Sequence, residues 1–513
     1  MRTISLREAI TDPNLLGNVI AGKSYALWRK ALLAVRGELT LEEWMELRDK
    51  TGGRESPPPA AVMEALFVIG RRGGKDRAIS VLAVYLAALV DYSHVLSPGE
   101  RGVVLVIAPD QRQAQIQLSY VRGVLESSPV LSKEIVNQTA DTVELRNGIV
   151  IEVRAANFRR LRGITAVAVI ASEAAFFYTE DTSENGDTAI LNSVRPSLAT
   201  TNGPLIIITS PYAPQGEVYE IFRRHFGPDG DPSILVVQGA SRDFNPTLPQ
   251  SLVDRALERD PAAAKAEFLG EFRSDVSALL TREAVDGVTI PGRFELPPAP
   301  GISYSAFVDP SGGSADSMTL AIAHKQGQIA ILDAVRECKP PFSPEAVVQE
   351  FAELLKRYGI RRVRGDRYAG LWPRERFQVH GITYETSDKS ASDLYREFLP
   401  IVNGNQAELL DLKRLFNQLV SLERRVSRSG KDNISHPPQG HDDVANSVAG
   451  ALVGVTAPAS VLRVNHQFWG DILNNENSDA HHDMMLRSGG LKGQQLRWHQ
   501  RRPIKSQSQT RSH

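Results

Sequence analysis

The pattern of apolar and polar positions changes character several times along the chain. Tyr25, Leu27, Trp28, Ala31, Leu32 and Val35 recur at helical spacing. Thr40-Leu-Glu-Glu has the form of a capping box ahead of Trp44 and Leu47. Residues 1–58 are therefore expected to be helical, up to the break at Thr51-Gly-Gly-Arg-Glu-Ser-Pro-Pro-Pro. From there, short apolar runs alternate with helical stretches: Ala65–Ile69, Val103–Ile107, Val167–Ile170 and Leu205–Thr209. Runs of this kind suit strands buried on both faces and predict an α/β domain with a mainly parallel sheet. Within it, Val143–Val153 alternates with period two about Asn147-Gly148, the signature of a hairpin closed by a type I′ turn.

Residues 246–300 read as helical and then irregular, ending in the linker-like Leu296-Pro-Pro-Ala-Pro-Gly. A second α/β pattern occupies 301–456. Its strand candidates are Tyr304–Val308, Met318–Ala323, Ile329–Ala334 and Arg362–Gly365, with helices over Pro344–Tyr358 and Asp442–Val455. Residues 457–513 are polar, rich in Asn, Gln, Ser and His, and are expected to form a flexible tail. The expected divisions are 1–58, 59–245, 246–300, 301–456 and 457–513; a length of 513 residues allows about three domains.

Composition adds exclusions. At 42% apolar and 23% charged, the chain is neither a disulfide scaffold nor wholly disordered. Lys and Arg (59) balance Asp and Glu (60), so any polyanion surface must be a local patch. The lone Cys338 fits a reducing compartment. No secretory signal or apolar run of membrane-spanning length is present, which points to a protein of the cell interior with no membrane partner.

Two constellations carry chemistry. Phe67-Val-Ile-Gly-Arg-Arg-Gly-Gly-Lys-Asp-Arg passes from an apolar strand through glycines into a helix. Gly70, Arg71, Arg72, Gly73 and Gly74 would bring backbone amides to phosphate oxygens, and Lys75 would reach the β and γ phosphates of ATP. The standard phosphate-loop spacing fails twice, at Ile69 and at Asp76, where Ser or Thr is usual. A tight basic turn is the plain alternative. The partner strand Ala166-Val-Ala-Val-Ile-Ala-Ser-Glu ends in Glu173, the candidate for polarising an attacking water, with Ser172 where a metal-binding Asp is usual. Asp76 and Ser172 are read as having exchanged roles about one Mg²⁺; a degenerate site is the competing reading.

In the second constellation, Asp309 and Asp366 end apolar strands, and Gly440-His-Asp-Asp-Val-Ala-Asn opens a helix with Asp442 and Asp443. Carboxylates on two strand ends and one helix can hold two Mg²⁺ or Mn²⁺ ions about 3.5–4 Å apart. Each alone reads as a turn or cap residue. Asp443 is favoured over Asp442 as the third ligand, and Asp316 is read as a loop aspartate. Lys389 could contact phosphate, with a solvated lysine the favoured reading, and His441 could shape the site or be a helix-start residue without a catalytic role. The leucines at 409, 410, 415, 419 and 422 are read as amphipathic core. Arg424, Arg425, Arg428 and Lys431 form a basic cluster that could follow a DNA backbone, with exposed helix-end charges as the alternative.

The order of phosphate loop, Leu161-Arg-Gly, Ala171-Ser-Glu-Ala-Ala-Phe and Ile208-Thr-Ser-Pro-Tyr resembles the large terminase subunit of tailed bacteriophages. The later carboxylates, in their order, resemble that family's RNase H-like nuclease domain. The resemblance covers roughly residues 20–456. It implies an ASCE-type phosphate-loop ATPase that drives double-stranded DNA into a procapsid, joined to a nuclease that cuts concatemeric DNA. It implies that Thr209 and Ser210 couple hydrolysis to motion, and that Arg162 is supplied to a neighbouring subunit's ATP. It further implies a pentameric ring on a portal protein, a small terminase subunit as partner, and action in the host cytoplasm. A cellular helicase–nuclease and a catalytically degenerate docking protein are the alternatives.

Overall fold

The computed structural model describes residues 3–157, 163–177, 186–314, 316–366, 372–426, 432–437 and 440–456. Those described up to Thr456 belong to one compact unit. The expected tail, Arg162, Arg428 and Lys431 lie outside the described residues.

The first half is built on an eight-stranded sheet. Its strands are β1 (Glu64–Ile69), β2 (Gly102–Ala108), β3 (Ile135–Gln138), β4 (Thr142–Leu145), β5 (Val150–Ala155), β6 (Thr165–Ser172), β7 (Leu205–Thr209) and β8 (Ile234–Gly239), in the order β3-β4-β5-β2-β6-β7-β1-β8. The six strands from β5 to β8 in that order are parallel. Their apolar runs fit because both faces are covered. Phe67 and Val106 look into one core with Trp28, Leu32 and Leu82, while Leu66 and Val68 look into the other with Ile190 and Val218. The capping box at Thr40 forms as the sequence indicates.

The β4–β5 hairpin also forms, but its turn differs from the expectation. Gly148 takes a positive φ of 84° whereas Asn147 does not, and the Gly148 amide donates to the Leu145 carbonyl. A type I′ turn needs positive φ at both positions; this is a longer loop with one left-handed residue. The Asn147 side chain bridges the loop to the helix Lys75–Ala88: its amide donates to the Ala87 carbonyl while its Oδ1 accepts from the Ile149 amide.

The second half contains β9 (Val276–Ala278), β10 (Thr289–Ile290), β11 (Tyr304–Asp309), β12 (Met318–Gln326), β13 (Ile329–Cys338), β14 (Arg362–Gly365), β15 (Thr383–Thr386), β16 (Ala407–Leu410), β17 (Glu423–Val426) and β18 (Asp432–Ser435). Seven of them form a mixed sheet, β10-β16-β13-β12-β11-β14-β15, and three form the small sheet β18-β17-β9. β12 and β13 run past their apolar stretches to Gln326 and Cys338, because an antiparallel pair keeps its backbone bonds beyond the buried face. The helix Asp443–Thr456 lies on β11, with Gly450 against the Phe307 ring: a Cβ there would sit 2.3 Å from it. The five leucines at 409–422 are all buried in this half's core, two of them on β16 and two on the helix Lys413–Ser421. Among the described residues no helix is long and apolar enough to cross a membrane.

Candidate functional site

Register brings the first constellation together. Phe67 of β1 and Ser172 of β6 both lie opposite Ile208 of β7. The three strands therefore end side by side, and parallel strands deliver their C-terminal loops to the same edge. Gly70–Gly74, Glu173 and Ser210 meet there. Lys75, 5% exposed, begins the helix Lys75–Ala88. Its ammonium donates to the Ile69 carbonyl (3.0 Å) and to Ser210 Oγ (2.8 Å), and lies 3.4 Å from Glu173 Oε1. The Ser210 amide donates to Glu173 Oε2 at 2.9 Å. Glu173 adopts φ 52°, a left-handed conformation that costs a non-glycine residue on the order of 1 kcal/mol or more. The two contacts hold it there, so the carboxylate faces the loop.

The loop carbonyls are tied down from outside. Ser241 Oγ donates to the Arg71 carbonyl (2.5 Å), Asn245 Nδ2 to that of Arg72 (2.8 Å), and Trp28 Nε1 to that of Gly73 (2.7 Å). Turning three successive carbonyls outward favours amides turned inward. The amides of Gly70, Arg71 and Gly73 nevertheless donate to protein carbonyls, so anion binding falls to the helix start after Gly74, whose φ of 83° makes that sharp entry. Arg71 is exposed and paired with Glu267; Arg72 is exposed, with φ 63°. Tyr25, Arg72, Lys75, Asp76, Tyr120 and Glu173 are among the residues that line a cleft of about 480 Å³, within the range of small-ligand sites.

Burial pushes the Asp76 carboxyl up, and the Glu173 charge adds to this against Lys75 and Arg72. A nearby cation would oppose both effects and favour the charged carboxylate. Ser172 is buried at the end of β6. Thr209 is wholly buried, its hydroxyl donating to the Ser210 carbonyl and accepting from the Ala175 amide, so Ser210 is the residue of this pair that reaches Lys75.

The second constellation gathers in the same way. Val308 pairs with Gly365 across the parallel strands β11 and β14, so Asp309 and Asp366 leave neighbouring strand ends, and the Asp366 amide donates to the Val308 carbonyl. Asn446 Nδ2 donates to Asp309 Oδ2 at 2.9 Å. Burial pushes the Asp309 carboxyl well above the usual range; the Asn446 bond opposes this, and the charges of Asp443, Asp366 and Asp442 add to it. Asp443 opens the helix and is pushed up to about 6, mainly by burial, and its Oδ2 is buried without a hydrogen-bond partner. Asp442 instead accepts from the Tyr395 hydroxyl at 2.9 Å.

All these donors are oxygens, the chemistry of Mg²⁺ or Mn²⁺. The orphaned Asp443 oxygen and the crowding of like charge suit a cation, although among the described residues no three acidic or histidine side chains converge on one point. His441 lies 3.9 Å from Asp316, and Lys389 pairs with Glu397.

Several solved structures similar to this chain are large terminases of bacteriophages. The HK97 large terminase is 14% identical over 80% of this chain and 93% of that one, with a TM-score of 0.35. A large terminase from a thermophilic bacteriophage is 12% identical over 80% of this chain and 98% of that one, with a TM-score of 0.36. The large terminase nuclease of the thermophilic phage G20c is 18% identical over 33% of this chain and 94% of that one, at 0.30. No family model and no curated protein matches the chain. At these identities and scores, the two clusters themselves are the ground for a functional reading.

Sequence reading passed over several site residues. Trp28, Ser241 and Asn245 carry no local signal, since they act on a loop distant in the chain. Asn446 had one: it stands three residues after Asp443, on the same helical face.

Proposed function

We propose that this chain is the large subunit of a DNA-packaging terminase, an ATP-driven translocase of double-stranded DNA joined to a metal-dependent endonuclease. One observation carries the reading: a single compact unit holds both a Lys75–Ser210–Glu173 cluster beside a glycine loop and a half-buried group of carboxylates at two strand ends and a helix start.

In the first site, Lys75 and the helix start hold the phosphates of ATP, and Glu173 orients the attacking water. Asp76 and Ser172 together keep one carboxylate and one hydroxyl for the nucleotide's Mg²⁺. Arg162 serves a neighbouring subunit in a pentameric ring on a portal protein, and Thr209 with Ser210 passes hydrolysis to DNA movement. In the second site, Asp309, Asp366 and Asp443 hold the cations, while Asn446 and Tyr395 keep Asp309 and Asp442 in place. Divalent cations there supply Lewis acidity toward water and the leaving oxygen. A small terminase subunit selects the DNA, and the host cytoplasm is where these partners meet.

The two activities should separate. Lys75→Ala is expected to lower ATP hydrolysis by about two orders of magnitude and spare Mn²⁺-dependent plasmid cleavage; Asp309→Ala should do the reverse. Mn²⁺-dependent plasmid cleavage that disappears in Asp366→Ala would sink the docking-protein alternative, wild-type protein that cleaves nothing would favour it, and ATP-dependent strand separation would point to a helicase–nuclease. For the ligand exchange, Asp76→Ser should abolish hydrolysis and the added Ser172→Asp should restore part of it. A double variant as inactive as the single one would sink that idea.

A further inference from the structure

The segment after β7 does more than supply Ser210. Two residues on, Tyr212 packs its ring against Phe176, with centroids 5.4 Å apart, just beyond Glu173. Its carbonyl accepts from the Arg273 amide at 2.8 Å. Its hydroxyl donates to Glu423 Oε2 at 2.6 Å and accepts from Arg425 Nη2 at 2.8 Å. Arg425 also donates to that same Glu423 oxygen at 3.0 Å.

Glu423 and Arg425 belong to β17, in the second half of the chain. Glu423 is 0% exposed, and its other carboxylate oxygen has no hydrogen-bond partner. Burying a carboxylate is costly unless charge and hydrogen bonds offset it, and removing one partner of such a group leaves that cost standing. Such a residue fixes its neighbours strongly. The Tyr212 hydroxyl stays protonated, because burial and the Glu423 carboxylate both push it above the ordinary tyrosine range. Tyr212 is thus a constant donor, held by Glu423 and Arg425 at one end of a short segment. At the other end, Ser210 holds Lys75 and Glu173. With only Pro211 between them, a shift of the tyrosine displaces the serine.

We propose that Glu423, from the C-terminal half of the chain, is a positioning residue for the ATP site, acting through Tyr212 to hold Ser210 against Lys75 and Glu173. The inference rests on the reading of Lys75 and Glu173 as a hydrolytic site. It implies that this site is complete only when β17 is docked on the segment after β7, so the state of the second half governs hydrolysis in the first.

The test uses the full chain and steady-state ATP hydrolysis, with thermal unfolding run alongside. Glu423→Ala and Tyr212→Phe are each expected to lower kcat about tenfold with KM changed less than about twofold, since a small misplacement affects the reacting geometry more than binding. Glu423→Gln, which keeps an acceptor for the tyrosine hydroxyl, should recover most of the loss. Combining Glu423→Ala with Tyr212→Phe should cost little more than either alone, because both break one link. If Glu423→Ala does not fold, Tyr212→Phe, which removes one hydroxyl, carries the test. Wild-type kcat in a folded Tyr212→Phe, or a raised KM at unchanged kcat, would overturn the proposal. Lys75→Ala separates the two ideas: if it hydrolyses ATP normally, the site reading itself fails, whereas an inactive Lys75→Ala beside fully active Glu423 and Tyr212 variants defeats the positioning role alone.

Discussion

Asp187, in the first turn of the helix Gly186–Val194, has its carboxylate accepting from the amides of Thr188 (2.8 Å) and Val218 (2.9 Å). Burial wins over those two bonds and pushes its carboxyl up to about 6 from 3.8. The folded state therefore holds this proton more tightly than the unfolded chain. The stability it contributes is fully present below about pH 3.8 and is lost as pH rises through about 6, a change of roughly 3 kcal/mol across the window. Urea midpoints of the wild type should fall between about pH 4.5 and 6.5 more steeply than those of Asp187→Asn. Parallel midpoints in the two proteins would show that Asp187 does not titrate there. The same contest of burial against partners marks the candidate sites: Asp76, Asp309 and Asp443 are all pushed up, each beside other carboxylates. Residue types and strand-end positions made these acids legible in the sequence. The bonds that set each one's balance, such as Asn446 to Asp309, come from register and helix packing.

At the scale of elements, the buried parallel strands were the most legible, because a strand covered on both faces is a continuous apolar run. β1, β2, β6 and β7 appear where those runs are, and β14 spans the predicted Arg362–Gly365. β15 and the short β9 and β10 escaped such a reading: they are held by backbone pairing with strands distant in sequence, which leaves little side-chain pattern. β8 also went unread, although its Ile234-Leu-Val-Val run carries the same apolar signal. The helix Asp443–Thr456 shows an element placing a site. Gly450→Ala would gain about 1 kcal/mol in helix propensity, but its methyl meets the Phe307 ring, and overpacking of this kind costs about 1–3 kcal/mol. The second effect should win. Thermal unfolding should come earlier and Mn²⁺-dependent cleavage should slow, because the helix that moves carries Asp443 and Asn446. A Gly450→Ala protein equal to wild type in both measurements would contradict this packing argument.

For the whole molecule, the near balance of 59 basic and 60 acidic side chains is uninformative about partners, because it sums over sites of opposite need. Carboxylate clusters that suit cations offset arginines spread over the surface, several of them already paired, as Arg424 is with Asp432. The small sheet β18-β17-β9 gives the two halves a common element. β17 reaches Tyr212 through Glu423, and the Ile434 amide of β18 donates to Ser392 on the helix Ala391–Asn403, the helix whose Tyr395 holds Asp442. By itself the sequence determined which segments could be buried and where loops must turn. It also determined which acids, lysine and glycines stood at the ends of strands, since apolar periodicity and turn chemistry are local properties. Only the tertiary structure decided that Ser210 rather than Thr209 meets Lys75. It alone brought Trp28, Ser241 and Asn245 to the glycine loop and a carboxylate of the second half to the edge of the first sheet. Those outcomes depend on register and on contacts between residues far apart in the chain, which no local pattern records.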